Sequence, residues 1–267
     1  MTRLIPRTTT LCIFALAALW AACAARPVFG QVTVETLLAR IISADSRDEY
    51  ELRADFHALI VLVAGGSRLA GEATGSFHES RRPGEPRRWR ITVQRLDLPL
   101  LLRPFSRAIR TLIEERAESQ SESLESFRSH DFFIQEERGG QFVLVGVRRD
   151  LVDEAIDRYG KPADTLDPET RRRIARWLFT APTMKGFLVR SGPPYAVRLV
   201  VDEQGLVHEN ELFYNWGRTA TTISYTTIGG RPMWHDVQST VNGEVAGLGH
   251  VEGHVTLAIR NYALAPR

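Results

Sequence analysis

A two-residue period constrains this chain more than any other feature. Between Lys185 and Tyr262, side chains alternate as Tyr195/Val197/Leu199/Val201, Thr221/Ile223/Tyr225, His235/Val237/Ser239/Val241 and Val251/Val255/Leu257/Ile259. Such alternation describes strands with one buried face. Turn residues separate them at Ser191-Gly192-Pro193-Pro194, Glu203-Gln204-Gly205 and Gly229-Gly230-Arg231-Pro232. The period also holds earlier, where Leu52, Ala54, Phe56, Ala58 and Ile60 alternate with Arg53, Asp55, His57 and Leu59. A second strand is expected over Leu69–Glu79. After a polar turn at Arg81-Arg82-Pro83-Gly84-Glu85-Pro86, a third carries Trp89, Ile91 and Val93. Three consecutive antiparallel strands form a meander. Strands at Asp131–Glu136 and Gln141–Val147 flank the hairpin signal Arg138-Gly139-Gly140.

Helical spacing interrupts this pattern three times. Val34, Leu37, Leu38, Ile41 and Ile42 give an opening helix one apolar face. Another helix is expected after Pro104, with Phe105, Ile109, Leu112 and Ile113 on one side. Asp167-Pro168-Glu169 supplies an N-cap, a first-turn proline and an early acid, and Ile174, Trp177 and Leu178 form the expected buried stripe. The fold class is therefore α+β. A sheet of about nine to eleven strands curls, so the expected architecture is a large curled antiparallel sheet, an incomplete β-barrel, with helices covering its concave face.

The N-terminus constrains location. Residues 1–10 carry Arg3 and Arg7 and no acid, and Leu11–Ala22 is an unbroken apolar run. A spanning helix needs about 20 apolar residues, so a basic start, a short apolar stretch and small residues describe an export signal. The preferred cut follows Gly30, with rival cuts after Ala24 or Ala25. An acylated lipoprotein cysteine at Cys23 is the alternative. The expected organisation is a signal peptide at 1–30 and one β-rich domain at 31–267, with helical insertions near 104–118 and 168–180.

Removing residues 1–30 takes away Arg3, Arg7 and Arg26, leaving 31 Lys+Arg against 32 Asp+Glu. No basic surplus remains to suggest a nucleic-acid partner. Both cysteines, Cys12 and Cys23, leave with the signal, excluding disulfides, thiol nucleophiles and thiolate metal sites. No G-x-S-x-G, S-x-x-K, H-E-x-x-H or G-x-x-x-x-G-K-[ST] pattern occurs. His250 and His254 have helical zinc spacing, but on a strand four residues span about 13 Å, too far for one ion. His235-Asp236 and His208-Glu209 are sequence neighbours, which on a strand point to opposite faces. Neither a catalytic group, nor a metal, nor a cofactor is expected, and the chain is read as a non-enzyme. Trp89, Tyr195, Phe213, Tyr214, Trp216, Tyr225 and Trp234 lie on or beside expected strands, either as cross-strand packing or as the wall of an apolar cavity.

The run Gly75-Ser76-Phe77-His78-Glu79-Ser80-Arg81-Arg82-Pro83-Gly84, followed by Arg88-Trp89-Arg90, resembles the periplasmic lipoprotein carriers of LolA-like and LppX-like type. The order of elements is similar too. That resemblance implies an incomplete β-barrel lidded by helices that takes up acyl chains, with Arg82 as the arginine that holds the lid. This sequence departs from the pattern in the large insertion around 148–180 and in the longer turn made by Glu85, Pro86 and Arg87. Sheltering an acyl chain removes about 0.8 kcal/mol per methylene of exposure to water. The expected ligand-binding residues are Arg82, Trp89, Ile91, Tyr195 and Tyr225. The expected partners are a lipid or an acylated protein, with an envelope membrane surface as a further candidate, in a periplasmic or other extracytoplasmic setting. The rival expectation is an envelope interaction or assembly protein with a solid core and no lipid cargo.

Overall fold

The computed structural model describes residues 32–44, 50–64, 66–81, 88–100, 103–107, 110, 111, 114, 129–158, 167–180, 194–245 and 249–265. The expected signal at 1–30, the Arg82 turn and most of the Ser/Glu/Arg-rich segment at 114–129 lie outside them. Internal contacts separate Met1–Thr33 from Val34–Arg267, and every described strand and helix belongs to the second unit.

Ten strands form one antiparallel sheet that does not close into a barrel. In chain order they are β1 (Tyr50–Ala64), β2 (Ser67–Arg81), β3 (Arg88–Asp97), β4 (His130–Arg138), β5 (Gln141–Arg148), β6 (Ala196–Asp202), β7 (Val207–Tyr214), β8 (Gly217–Ile228), β9 (Arg231–Val245) and β10 (Gly249–Ala265). Among the described residues, three α-helices with defined bounds accompany them: α1 (Val34–Ala44), α2 (Arg149–Arg158) and α3 (Pro168–Thr180). The spatial order is β3-β2-β1-β10-β9-β8-β7-β6-β5-β4. Two meanders, β1–β3 and β4–β10, are thus joined by the pairing of β1 with β10. The α+β sheet expected from the alternating pattern is the fold of this chain.

The join is long. It runs from Glu51↔Ala265 to Ala64↔Val251, interrupted by one irregularity between Arg53 and Asp55. Because the side-chain period is two, this register decides which residues share a face. The sheet's outer strands, β3 and β4, expose unpaired backbone groups, a hazard for edge strands. At β3 the Val93 amide donates to Glu114 Oε1 at 2.9 Å. At β4 the Ile134 carbonyl accepts from the Arg176 guanidinium of α3 at 3.1 Å.

The two ends of the sheet are packed differently. On β5 every residue from Phe142 to Val147 is buried, and β6 is nearly continuous in the same way. The reason is cover on one side by α2 and α3, whose Leu151, Val152, Ala155, Ile156, Ala175 and Leu178 pack with Phe133, Val145, Val147 and Ala196. Arg171 of α3 fastens that cover, donating to Asp131 of β4 at 2.8 Å and to Asp153 of α2 at 2.7 Å. Its own burial opposes the charge, yet these two carboxylates hold the guanidinium pKa above its ordinary value.

Helix α1 is linked to this assembly at both ends. Glu35 accepts a hydrogen bond from Arg172 of α3, and Arg40 donates to the Glu203 carbonyl at 2.9 Å. Gly205, in the β6–β7 turn, has φ +90°, and a Cβ there would meet the Arg40 carbonyl carbon at 2.6 Å. Glycine at this position therefore serves both the left-handed turn and the close approach of the helix.

Two sequence expectations are corrected. Trp177 does not lie in the buried stripe of α3, where it is 43% exposed while Ala175 and Leu178 are buried. At about 100° per residue, Ile174, Ala175 and Leu178 share the face toward the sheet, and Trp177 falls to one side of it. Ile42, assigned to the apolar face of the opening helix, is likewise exposed, whereas Val34, Leu37 and Ile41 are buried. Of the helix expected after Pro104, the described residues show a 3₁₀ turn at Arg103–Phe105 followed by helical backbone at 106, 107, 110, 111 and 114. Helix α2 is an addition to the three helices expected from spacing.

Candidate ligand-binding face

Cross-strand register traces one face through the sheet. Phe56, Ala58, Ile60 and Leu62 of β1 stand opposite Ile259, Leu257, Val255 and Gly253 of β10. Leu257, Val255 and Gly253 stand in turn opposite Val237, Ser239 and Val241 of β9. The same face continues through Ile223, Thr221 and Thr219 of β8 to Asn210 and Leu212 of β7. We call this the Phe56 face. Following the pairing on into β6 and β5 brings Leu199 and Leu144 to it. Phe133, Val145 and Ala196 belong to the opposite side, and that opposite side of β4–β6 is the one packed by α2 and α3.

Along the Phe56 face, burial falls from one end of the long strands to the other. At the start of β1, Leu52, Phe77, Met233 and Ile259 are buried together, and Phe56, Ala58, Ala73 and Val93 form an adjoining cluster. The backbone here is close-packed: a Cβ on Gly75 would lie 2.0 Å from the Thr92 carbonyl oxygen and 2.8 Å from Phe56 Cε1. Toward the β1–β2 turn the apolar strip persists while its cover thins. Ile60, Leu62, Val241 and Val251 are half-buried, and Val255 is 37% exposed. At that end Tyr214 and Trp216 stack at 4.8 Å with 21° between their rings.

A polar group marks the closed end. Glu79 is 2% exposed, and its Oε1 accepts a hydrogen bond from the buried Tyr50 hydroxyl. The Arg231 guanidinium lies over the Tyr50 ring at 5.4 Å from its centroid, a cation–π contact. Glu79 takes the place of the next apolar residue in the β2 alternation Ala73, Gly75, Phe77. That break in the alternation is the signal in the sequence for a buried carboxylate, although Glu79 is not among the residues expected at a site.

The five residues expected at a ligand site are dispersed. Ile91 on β3 is partly buried against both apolar clusters of the Phe56 face. Trp89 pairs in register with Glu79. Tyr225 on β8 donates from its hydroxyl to the Val207 carbonyl at 2.8 Å and meets the His208 ring edge-on at 5.5 Å. Tyr195 packs instead with the cluster covered by α2 and α3, its ring 6.2 Å from Phe213, and burial raises its phenol pKa. Arg82 lies outside the described residues. The aliphatic residues of β10 and the far half of β1 form more of the strip than the aromatics do.

The histidines are tied to separate carboxylates. His250 pairs with Glu244 at 3.2 Å and His254 with Glu252 at 3.0 Å. Among the described residues, no group of three or more His, Cys, Asp and Glu could hold a metal ion. His208 pairs with Asp202 at 3.0 Å, while Glu209 reaches Arg198 at 3.3 Å. His235 and Asp236 depart from the simple strand expectation, because both contact Arg260, at 3.1 Å and 2.7 Å. The cause is an irregularity in which Ser224 opposes Asp236 but Tyr225 opposes Trp234, leaving His235 as the extra residue of a bulge.

No family model matches the chain, and no curated protein does. Among solved structures it is similar to a DUF1329 family protein from Desulfovibrio piger, at 9% identity over 85% of this chain and 89% of that one, with a TM-score of 0.37. It is also similar to an outer membrane lipoprotein-sorting protein domain from Vibrio parahaemolyticus, at 9% identity over 87% and 92%, with a TM-score of 0.38. A third likeness is to MucB in complex with MucA(peri), at 11% identity over 84% and 93%, with a TM-score of 0.23. At such scores the overlap is loose, and the candidate site is defined by this chain's own residues.

Proposed function

We propose that this chain is an exported, non-catalytic carrier that shelters acyl chains of lipids or lipidated proteins against the Phe56 face. One observation carries the reading: a continuous apolar strip runs from buried Phe56 and Ala58 to half-buried Leu62 and exposed Val255. A strip that grades from closed to open lets an aliphatic chain enter at one end and lose water along its length. Each methylene so buried contributes about 0.8 kcal/mol. Helices α2 and α3 pack against the other face of β4–β6, which leaves them out of competition for this strip.

This is the lipoprotein-carrier reading drawn from the sequence, with its site moved from the aromatics to the β1, β9 and β10 aliphatics. The carrier works outside the cytoplasm, with residues 1–30 as its export signal. Native mass spectrometry of the purified protein, with displacement of a fluorescent fatty acid, tests it. Co-purified acyl species and saturable displacement are expected. A ligand-free protein that ignores the probe would sink the reading and favour an interaction protein with a solid core.

A further inference from the structure

Asn210, Thr221 and Ser239 form a single polar row beside the apolar strip of β1 and β10. Asn210 of β7 stands opposite Thr221 of β8, and Thr221 stands opposite Ser239 of β9. The row ends in aliphatics, Leu199 of β6 beyond Asn210 and Val255 of β10 beyond Ser239. Three adjacent strands at about 4.8 Å spacing make the polar stretch roughly 10 Å long.

The hydrogen bonds within the row are incomplete. Thr221 Oγ1 and Ser239 Oγ lie 2.9 Å apart. Two hydroxyls sharing one bond use one proton, so the other proton is left to donate. Asn210 Oδ1 is buried and, among the described residues, has no hydrogen-bond partner. An acceptor in that state costs about 1–3 kcal/mol, which a donor brought to it would recover. Packing alone gives no reason for the amide, since an apolar side chain at 210 would continue Leu199 and avoid the cost.

We infer that the Asn210–Thr221–Ser239 row is a polar subsite for the head of an acyl ligand. The inference rests on the carrier reading above and adds the ligand's chemistry. The matching head carries both an acceptor, for the spare hydroxyl proton, and an O–H or N–H donor, for Asn210 Oδ1. A glycerol monoester and a fatty amide both satisfy this, whereas a simple methyl ester supplies only the acceptor. The aliphatic tail then lies along Val255, Leu257 and the β1 side chains. Apolar pockets with a few placed polar groups are the ordinary form of a selective site.

Monooleoylglycerol, oleamide and methyl oleate share one chain length and separate the two donor sources from their absence. Binding of each to the purified protein is measured by displacement of a fluorescent fatty acid. The two donor-bearing ligands should bind about tenfold tighter than the methyl ester, the affinity equivalent of one satisfied buried acceptor. Asn210→Leu should abolish that preference while leaving methyl oleate binding intact or stronger. Thr221→Val, nearly the same shape, is the second variant should Asn210→Leu fail to fold, and it should weaken all three ligands by losing the hydroxyl donor. A preference for the hydroxyl ligand alone or the amide alone identifies the head and supports the subsite. If methyl oleate binds as well as the others, if the preference survives in folded Asn210→Leu, or if Thr221→Val weakens none of the three, the polar subsite is overturned while acyl binding stands. If none of the three binds, both fall.

Discussion

Strands β5 and β8 belong to one sheet, three places apart in its order, and they are buried by different rules. From Phe142 to Val147 β5 is buried at every position, whereas β8 alternates between half-buried and exposed along most of its length. Strand β5 has packing on both faces and reads as a continuous apolar run; β8 has one face toward solvent and keeps the polar alternation of a half-covered strand. A sheet whose apolar face is fully packed has no room for a guest. One whose apolar strip opens gradually, as beside β8 through β10 and β1, does. On the carrier reading, the difference between the two regions is a difference between scaffold and site.

The sharpest way to break that division is to truncate one aliphatic in each region. Leu144→Ala, at a position with no exposed surface, should cost about 3 kcal/mol from lost burial and the cavity left behind. Val255→Ala, already partly exposed, should cost less than about 1 kcal/mol. Urea denaturation monitored by far-ultraviolet circular dichroism gives both values. Equal losses would mean that the β10 strip is as much core as β5, and the carrier reading would lose its footing.

The next effect lies in the polar fastening of the helix-covered half. Arg171→Ala leaves Asp131 and Asp153 facing each other without their shared cation. Charge-assisted bonds at a mostly buried site contribute more than surface pairs, and the loss should be about 2 kcal/mol. Chemical denaturation measures it, and Arg171→Lys should recover only part, since one ammonium does not reproduce a forked donor. A loss within noise would show that apolar packing alone holds α3 to the sheet.

Most strands were legible from local pattern: β1, β3, β6 and β8 to β10 follow from residues two apart, and β4 and β5 from the hairpin signal between them. The Asp167-Pro168-Glu169 start of α3 was legible for the same reason. What the sequence could not carry was register between strands distant along the chain. Nothing within β1 or β10 says that Phe56 meets Ile259, so neither the site's aliphatics nor the dispersal of Tyr195 and Tyr225 could be read from local pattern. Bulges were invisible too, and the one at His235 changed which side chains meet Arg260. The exposed Trp177 shows the limit of a bare helical stripe, where several apolar residues compete for a narrow face.

On the open side the effect should appear in binding rather than stability. Val255→Asp places a carboxylate in the strip at a position solvent already reaches, so folding should be little changed. A guest chain loses apolar contact there and gains a charge it must desolvate, at about 0.8 kcal/mol per methylene no longer buried. Fatty-acid affinity should fall about tenfold, read by probe displacement beside an unchanged denaturation midpoint. Unchanged affinity would place the guest elsewhere on the molecule.

The smallest effect tests the cap of α3 and gives the scaffold half a pH dependence. Asp167 accepts from the Thr170 hydroxyl at 2.7 Å and from the Thr170 amide at 2.9 Å. These bonds, the hydroxyl first, lower its carboxyl pKa below the ordinary value. A group depressed in the folded state stabilises it above its unfolded pKa, and the contribution is lost as pH falls through the lower folded value. Asp167→Asn keeps an acceptor for the amide, so at neutral pH only a small drop in melting temperature is expected. Below the ordinary carboxylate range the parent's cap protonates, and the two melting temperatures should converge. A gap that persists unchanged into acid would mean that the charge on Asp167 contributes nothing to the cap, and that the hydrogen-bond geometry alone sets the start of α3.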